Sequence, residues 1–210
     1  MPDLHFAVDG IQAFANAAVP TLGVRLRVTN VQGDAVQHVA LQTQIQIEPV
    51  FRSYTAEEQV RLRDLFDDPS RWGDTLKPLF WTRVDIVIPA FEEATTIELP
   101  VPCSFDFNIA ATKYFGGVQR GEIPLRLLFS GTVFYRSPAG GLQIARIPWD
   151  REAECRLPVD EWQRMRDLYY PNEAWLPLRR DVFERLHAYK TRGAFPTWDD
   201  AVVAMLEAKA

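Results

Sequence analysis

Alternation of apolar and polar side chains dominates this chain. Val39, Leu41, Thr43, Ile45 and Ile47 fall on one face, and Ala40, Gln42, Gln44, Gln46 and Glu48 on the other. A period of two, with one dry and one wet face, is the pattern of an antiparallel sheet covered on one side. Phe6 and Val8 show the same period upstream, as do Val24, Leu26 and Val28, and Asn30 to Asp34 reads as a turn. Val84, Ile86 and Ile88 resume it after Trp81 and stop at Pro89. The longest run is Ile97, Leu99, Val101, Cys103, Phe105, Phe107 and Ile109, which reads as one strand. Its Pro100 and Pro102 donate no ladder hydrogen bonds, so they place it at a sheet edge or at a bend between sheets. Residues 123–135 are apolar on both faces and contain Gly131, which predicts a central strand with a bulge. Gly116-Gly117 reads as a turn, and residues 137–141 as a hairpin turn leading into a strand over 142–147. Ala153, Cys155 and Leu157 close the sheet.

The period changes in two places. Thr55 and Glu58 have the spacing of a capping box, which predicts a helix near 56–67 that Asp67-Asp68-Pro69 ends. After Pro158, Trp162, Met165 and Tyr169 fall at helical spacing. Asp181 with Glu184 opens a second helix, which carries Val182, Phe183, Leu186 and Tyr189 and stops at Gly193. Thr197 with Asp200 opens a third. The pattern predicts an α+β protein: an antiparallel β-sandwich of about eight or nine strands, one inserted helix, and a C-terminal tail of three short helices. The expected division is a sandwich over 1–157 and a helical tail over 158–210. Such short helices are marginal alone in water, so the tail is expected to pack on the sandwich.

Composition sharpens this picture. With 47% hydrophobic and 24% charged residues in 210, the chain is able to bury a sizeable core. Net charge is −5, and no basic cluster is longer than Arg179-Arg180. Nucleic acid is therefore not an expected partner, because phosphate contacts need a basic face. The apolar run from Leu125 is broken by Arg126, Ser130 and Gly131, far short of the roughly 20 apolar residues a membrane span needs. Residues 1–5 lack the charged and apolar regions of a signal peptide, and a cytoplasmic location is expected. Cys103 and Cys155 then read as free, buried thiols in a reducing compartment.

Candidate chemistry is sparse. His5, His38 and His187 stand apart, without metal-ligand spacing, so neither a metal nor another cofactor is expected. Ser130 lies mid-strand, whereas a nucleophile elbow stands on a strand-to-helix turn. The glycine pairs do not lead into helices as phosphate loops do. Enzymatic activity is not expected. What remains is a set of aromatic residues outside the regular patterns. Trp72, Trp81, Trp149, Tyr169 and Trp175, with Arg83 and Asp150, form the candidate binding set. They either plug seams in the fold or anchor a protein partner, since Trp, Tyr and Arg dominate interface hot spots. The alternative is a small-molecule binding protein or an enzyme with an apolar pocket between sandwich and tail, with Arg83 or Asp150 orienting the ligand.

Several segments carry a family resemblance: residues 71–78 (RWGDTLKP), 101–107 (VPCSFDF), 121–125 (GEIPL) with 129–133 (FSGTV), 147–150 (IPWD) and 197–199 (TWD). Across nearly its whole length the chain resembles an uncharacterised bacterial family, a domain of unknown function with actinobacterial members. Some members are associated with nickel–iron hydrogenase genes. The resemblance implies an accessory or assembly role and brings no site residues with it.

Overall fold

A computed structural model describes residues 1–32, 34–103, 109–137, 139–171, 173 and 178–208. The strands are β1 (Leu4–Ala13), β2 (Thr21–Asn30), β3 (Val36–Ile47), β4 (Leu79–Ile88), β5 (Ala94–Pro102), β6 (Glu122–Arg136), β7 (Leu142–Arg146) and β8 (Glu152–Pro158). They form two antiparallel sheets, as the alternation predicts. One sheet has the order β1-β2-β5; the other runs β4-β3-β6, with β7 and β8 both paired to β6. On β3 the predicted dry positions Val39, Leu41, Thr43, Ile45 and Ile47 are all buried, and they meet Leu22, Leu26 and Leu99 of the other sheet in a common core. β5 is an edge strand, with Pro100 opposite Gly23 and Pro102 opposite Thr21 on its single partner β2.

β6 is the central strand, and Gly131 marks where its outer partner changes. Residues 122–128 pair with β8 and residues 132–136 with β7. Between them the carbonyl of Gly131 accepts a hydrogen bond from the Ile147 N–H at 3.1 Å. Gly131 has φ +142, and a Cβ there would stand 2.0 Å from the Ala40 carbonyl oxygen, so only glycine fits.

Helical content exceeds the single inserted helix expected. Between β3 and β4 lie a 3-10 turn (Pro49–Phe51), α1 (Ala56–Arg61), α2 (Arg63–Phe66), a second 3-10 turn (Pro69–Arg71) and α3 (Trp72–Thr75). The capping box is present in both halves, Thr55 accepting from the Glu58 N–H and Glu58 from the Thr55 N–H. A further helix, α4 (Ile109–Gly117), precedes β6. The long alternation therefore does not continue as one strand to Ile109: β5 stops at Pro102 and Ile109 opens α4, while Phe105 and Phe107 lie outside the described residues. Gly116 and Gly117 end that helix rather than forming a strand-to-strand turn. α4 is held by Ala111, Tyr114 and Phe115, which are buried with Val118 at helical spacing.

The chain divides into two compact units, Met1–Glu173 and Ala174–Ala210. The first includes α5 (Val159–Tyr169), the first helix of the tail. Val159, Trp162 and Met165 form its buried face. Its outer turns are tied to the β1–β2 connection: Glu161 accepts from the Ala13 N–H at 3.1 Å, and the Tyr169 hydroxyl accepts from the Ala17 N–H at 2.9 Å. The second unit holds α6 (Arg180–Arg192) and α7 (Trp198–Glu207). There Trp198 packs 5.5 Å from Phe183 and 5.9 Å from His187, and the Lys190 ammonium lies 5.6 Å from the Trp198 ring centre. α7 opens with a complete capping box between Thr197 and Asp200.

Candidate functional site

Two surface features of the first unit stand apart from the core. The first is an open trench where the 3-10 turn after β3 meets the start of β6. Glu48 anchors the turn by donating its N–H to Pro124 O at 2.9 Å. Arg52 and Glu58 form the trench floor, with side chains 8% and 1% exposed and 3.0 Å between Nη2 and Oε1. Glu58 Oε1 also accepts from the Gln119 N–H at 3.0 Å, and Oε2 from the Thr55 N–H at 3.0 Å. One carboxylate thus joins the segment before α1 to the segment after α4. Arg52 Nη2 reaches the Arg120 carbonyl at 3.2 Å, and its guanidinium lies 4.9 Å from the Tyr54 ring centre. The Tyr54 hydroxyl donates to Pro49 O at 2.7 Å, which leaves the Tyr114 hydroxyl, 2.9 Å away, to donate to Tyr54.

Electrostatics fix the charge states of this floor. Burial pushes the Glu58 carboxyl up, but the N–H donors of Gln119 and Thr55 and the Arg52 guanidinium outweigh it and hold the group below its ordinary value. Burial raises both the Tyr54 and the Tyr114 phenols, so both stay protonated. The trench, open to solvent, has a volume of about 640 Å³, with Val50, Phe51, Arg120, Glu122 and Arg156 along its sides. Past Phe51 and Arg156 it adjoins a second hollow of about 250 Å³ lined by Leu125 and Cys155. Burial pushes the Cys155 thiol up to about 12, and likewise that of Cys103. Neither presents a thiolate at neutral pH.

The second feature is the β7–β8 connection. Its ends are fixed: Ile147 is buried and bonded to Gly131, and Arg151 pairs with Asp3 at 2.6 Å. Between them Trp149 is 93% exposed and Asp150 is exposed beside it. On the adjoining β7, Leu142 and Ile144 also face solvent. Ile144 lies opposite Phe134, whose ring stacks on His38 at 4.1 Å.

The aromatic candidates from the sequence are dispersed. Trp72 is buried, donates Nε1–H to Asp67 O at 3.1 Å, and meets Tyr54 edge-on at 5.1 Å. Trp81 is buried where β4, α4 and α5 meet, 4.8 Å from Phe115 and 6.2 Å from Trp162; Phe115 and Trp162 stack at 4.0 Å. Arg83 is exposed on β4, its Nη2 3.5 Å from Gln44 Oε1. Tyr169 fastens α5 to the β1–β2 connection. Trp175 lies outside the described residues. Among the described candidates, only Trp149 and Asp150 share a surface. The trench residues Phe51, Arg120 and Arg156 were not among the sequence candidates; the capping box located Glu58, but no pattern marks the two arginines. Among the described residues no group of three or more His, Cys, Asp or Glu is placed to hold a metal ion, and no helix is long and apolar enough to cross a membrane.

One family model, that of a family of unknown function, matches residues 1–210. No curated protein matches the chain. Among solved structures, the chain is similar to a CARDB domain from Pyrococcus furiosus, crystallised in complex with di-metal ions. Identity is 9% and the TM-score 0.29, over 75% of this chain and 92% of that one. It is also similar to the solution structure of a putative late embryogenesis abundant protein, at 12% identity and a TM-score of 0.34. That match covers 75% of this chain and 72% of the other.

Proposed function

The chain belongs to DUF6084, a family of unknown function whose model spans residues 1–210, and from that premise we propose that it is a non-enzymatic cytoplasmic module that docks a protein partner through the Trp149 loop. The observation that carries this reading is the 93% exposure of Trp149 on a loop fixed at both ends. An indole standing in water gains most by being covered, and large aromatics dominate interface hot spots. Because its loop is already held, ordering it on binding costs little. Leu142 and Ile144 supply an apolar surround, and Asp150 and Arg146 a polar rim. The non-enzymatic half of the proposal is supported by the engaged state of Glu58 and the raised thiols. We further propose a hydrogenase assembly component as the first partner to test, the accessory role that the family resemblance implies.

The experiment is a paired affinity capture from the native host with wild-type, Trp149→Ala and Ile144→Asp baits, read by quantitative mass spectrometry. A specific partner should drop about tenfold or more with both variants, as loss of an interface anchor predicts, while circular dichroism stays unchanged. Equal recovery of the same proteins by all three baits refutes the proposal.

A further inference from the structure

We propose that β4 is a self-association edge: it pairs antiparallel with β4 of a second copy of this chain, across a twofold axis at Val84. β4 is the outer strand of the larger sheet, and β3 is its single partner among the described strands. An outer strand presents unpaired N–H and C=O groups, and another strand adds to it unless the edge is blunted. The other outer strands are blunted or short. β5 carries Pro100 and Pro102, β1 is broken by a register shift at Val8/Gly10, β7 has five residues, and β8 sets Glu152 and Glu154 on its exposed face. β4 contains no proline, and its residues 82–88 pair with β3 without a shift.

Charge selects the occupant. Arg83 and Asp85 are exposed on the outer face, one on each side of the buried Val84. Among the described residues neither has an ion-pair partner; Arg83 only approaches the neutral Gln44, at 3.5 Å. Their cross-strand neighbours are Gln44 and Gln42 of β3, and beyond these stand Leu128 and Ser130 of β6, so this part of the sheet supplies no counter-charge. A second β4 supplies both. With Val84 opposite Val84, Arg83 of each copy stands opposite Asp85 of the other, and the symmetry makes the pair twice. Side chains directly opposed on one face lie about 4.5–5.5 Å apart at Cβ, within ion-pair reach. A slip of two residues sets Asp85 against Asp85 or Arg83 against Arg83, and a slip of one exchanges the dry and wet faces. One register is thus favoured and its neighbours are penalised. On the inner face the same register places the half-buried Thr82 beside the half-buried Ile86 of the other copy. β4 and the β7–β8 connection lie at opposite edges of this sheet, so the pairing leaves both Trp149 loops uncovered and does not depend on what they bind.

Sedimentation velocity of the full-length chain over a concentration series tests the proposal, with Arg83→Asp, Asp85→Arg, the swap R83D/D85R, and Trp149→Ala. Both charged side chains are exposed, so the variants should fold, as circular dichroism will check. The wild type should show a reversible monomer–dimer equilibrium that weakens with salt. Each single reversal puts like charges opposite one another twice, and should raise the dissociation constant about tenfold or more. The swap restores opposite charges in the same register and should return the constant to near the wild-type value. In hydrogen exchange, amides within residues 82–86 should slow as concentration rises. A wild type that stays monomeric at every concentration overturns the proposal. So does a dimer that both single reversals leave intact, or one that the swap fails to restore. Trp149→Ala should dimerise like the wild type; loss of the dimer in that variant would place the contact at the Trp149 loop and overturn the assignment to β4.

Discussion

At Gly131 two constraints meet in one residue. Its φ of +142 lies where side-chain-bearing residues rarely go, and a Cβ would overlap the Ala40 carbonyl of the paired strand. Relief would require β6 to separate from β3 at the centre of the larger sheet. Gly131→Ala should therefore cost about 3 kcal/mol, the scale of combined backbone strain and lost ladder bonding, measured as a lowered urea midpoint. Gly10→Ala, where a Cβ meets nothing within 4 Å, is the control and should shift the midpoint little. Glu58 presents the electrostatic counterpart. Glu58→Gln keeps the shape but leaves the buried Arg52 without its counter-charge, a loss on the order of 3–5 kcal/mol for a broken buried pair. Its folded-state pKa is depressed, so its contribution is complete above the unfolded glutamate value, roughly pH 4–5, and is lost as pH falls through the folded value. The stability gap between wild type and Glu58→Gln should thus be widest at neutral pH and close progressively in acid. A gap that stays constant in urea titrations from neutral to acid pH would show that the carboxylate charge is not what matters.

Among the elements, α5 depends on one side chain at its far end. The Tyr169 hydroxyl accepts from the Ala17 N–H and lies 3.0 Å from the carbonyls of both Phe14 and Ala17. Tyr169→Phe strands those groups and should cost about 1 kcal/mol. Hydrogen exchange should accelerate at the Ala17 amide while β3 and β6 stay protected; unchanged protection at Ala17 would show the bond to be dispensable. Legibility in the sequence also divides by element. Most strands were readable because they have one wet face, and β3 is the clearest case; β6 was readable instead as a run apolar on both faces. The caps were readable because Thr55 with Glu58, and Thr197 with Asp200, must be polar at fixed spacing. α4 was obscured because the alternation through Ile97 to Cys103 runs into its start, although Ala111, Tyr114, Phe115 and Val118 already carry helical spacing. The trench was not readable at all. It is assembled from residues near 50, near 120 and near 156, and Arg120 and Arg156 look like any other surface arginine until the sheet brings them together. Tryptophan content was an ambiguous guide for the same reason: Trp72 and Trp81 are buried, Trp149 is exposed, and local pattern does not distinguish them.

For the whole molecule, the position of the cut should decide whether the sandwich survives truncation. Residues 158–210 change character together in the sequence, but α5 falls within the compact unit Met1–Glu173. Val159, Trp162 and Met165 are buried on α5, and at roughly 1.5–3 kcal/mol for each large apolar side chain they contribute on the order of 5–9 kcal/mol. That is comparable with the entire stability of a typical domain, about 5–15 kcal/mol. A chain ending at residue 157 would also uncover Trp81 and Phe115, whose rings pack against Trp162. It should aggregate, whereas a chain ending at residue 173 keeps the ring cluster, the Glu161 bond to Ala13 and the Tyr169 anchor, and should unfold cooperatively. The remaining piece, Ala174–Ala210, falls below the roughly 40 residues that a domain without disulfide or metal usually needs. Its α7 leaves Val203, Met205 and Leu206 substantially exposed. As an isolated peptide it should show little helix by circular dichroism. Thermal melts and light scattering on the two truncated chains separate the outcomes. Aggregation of the 1–173 chain would mean that the first unit depends on residues 174–210, and a well-folded 1–157 chain would mean that α5 is dispensable to the core.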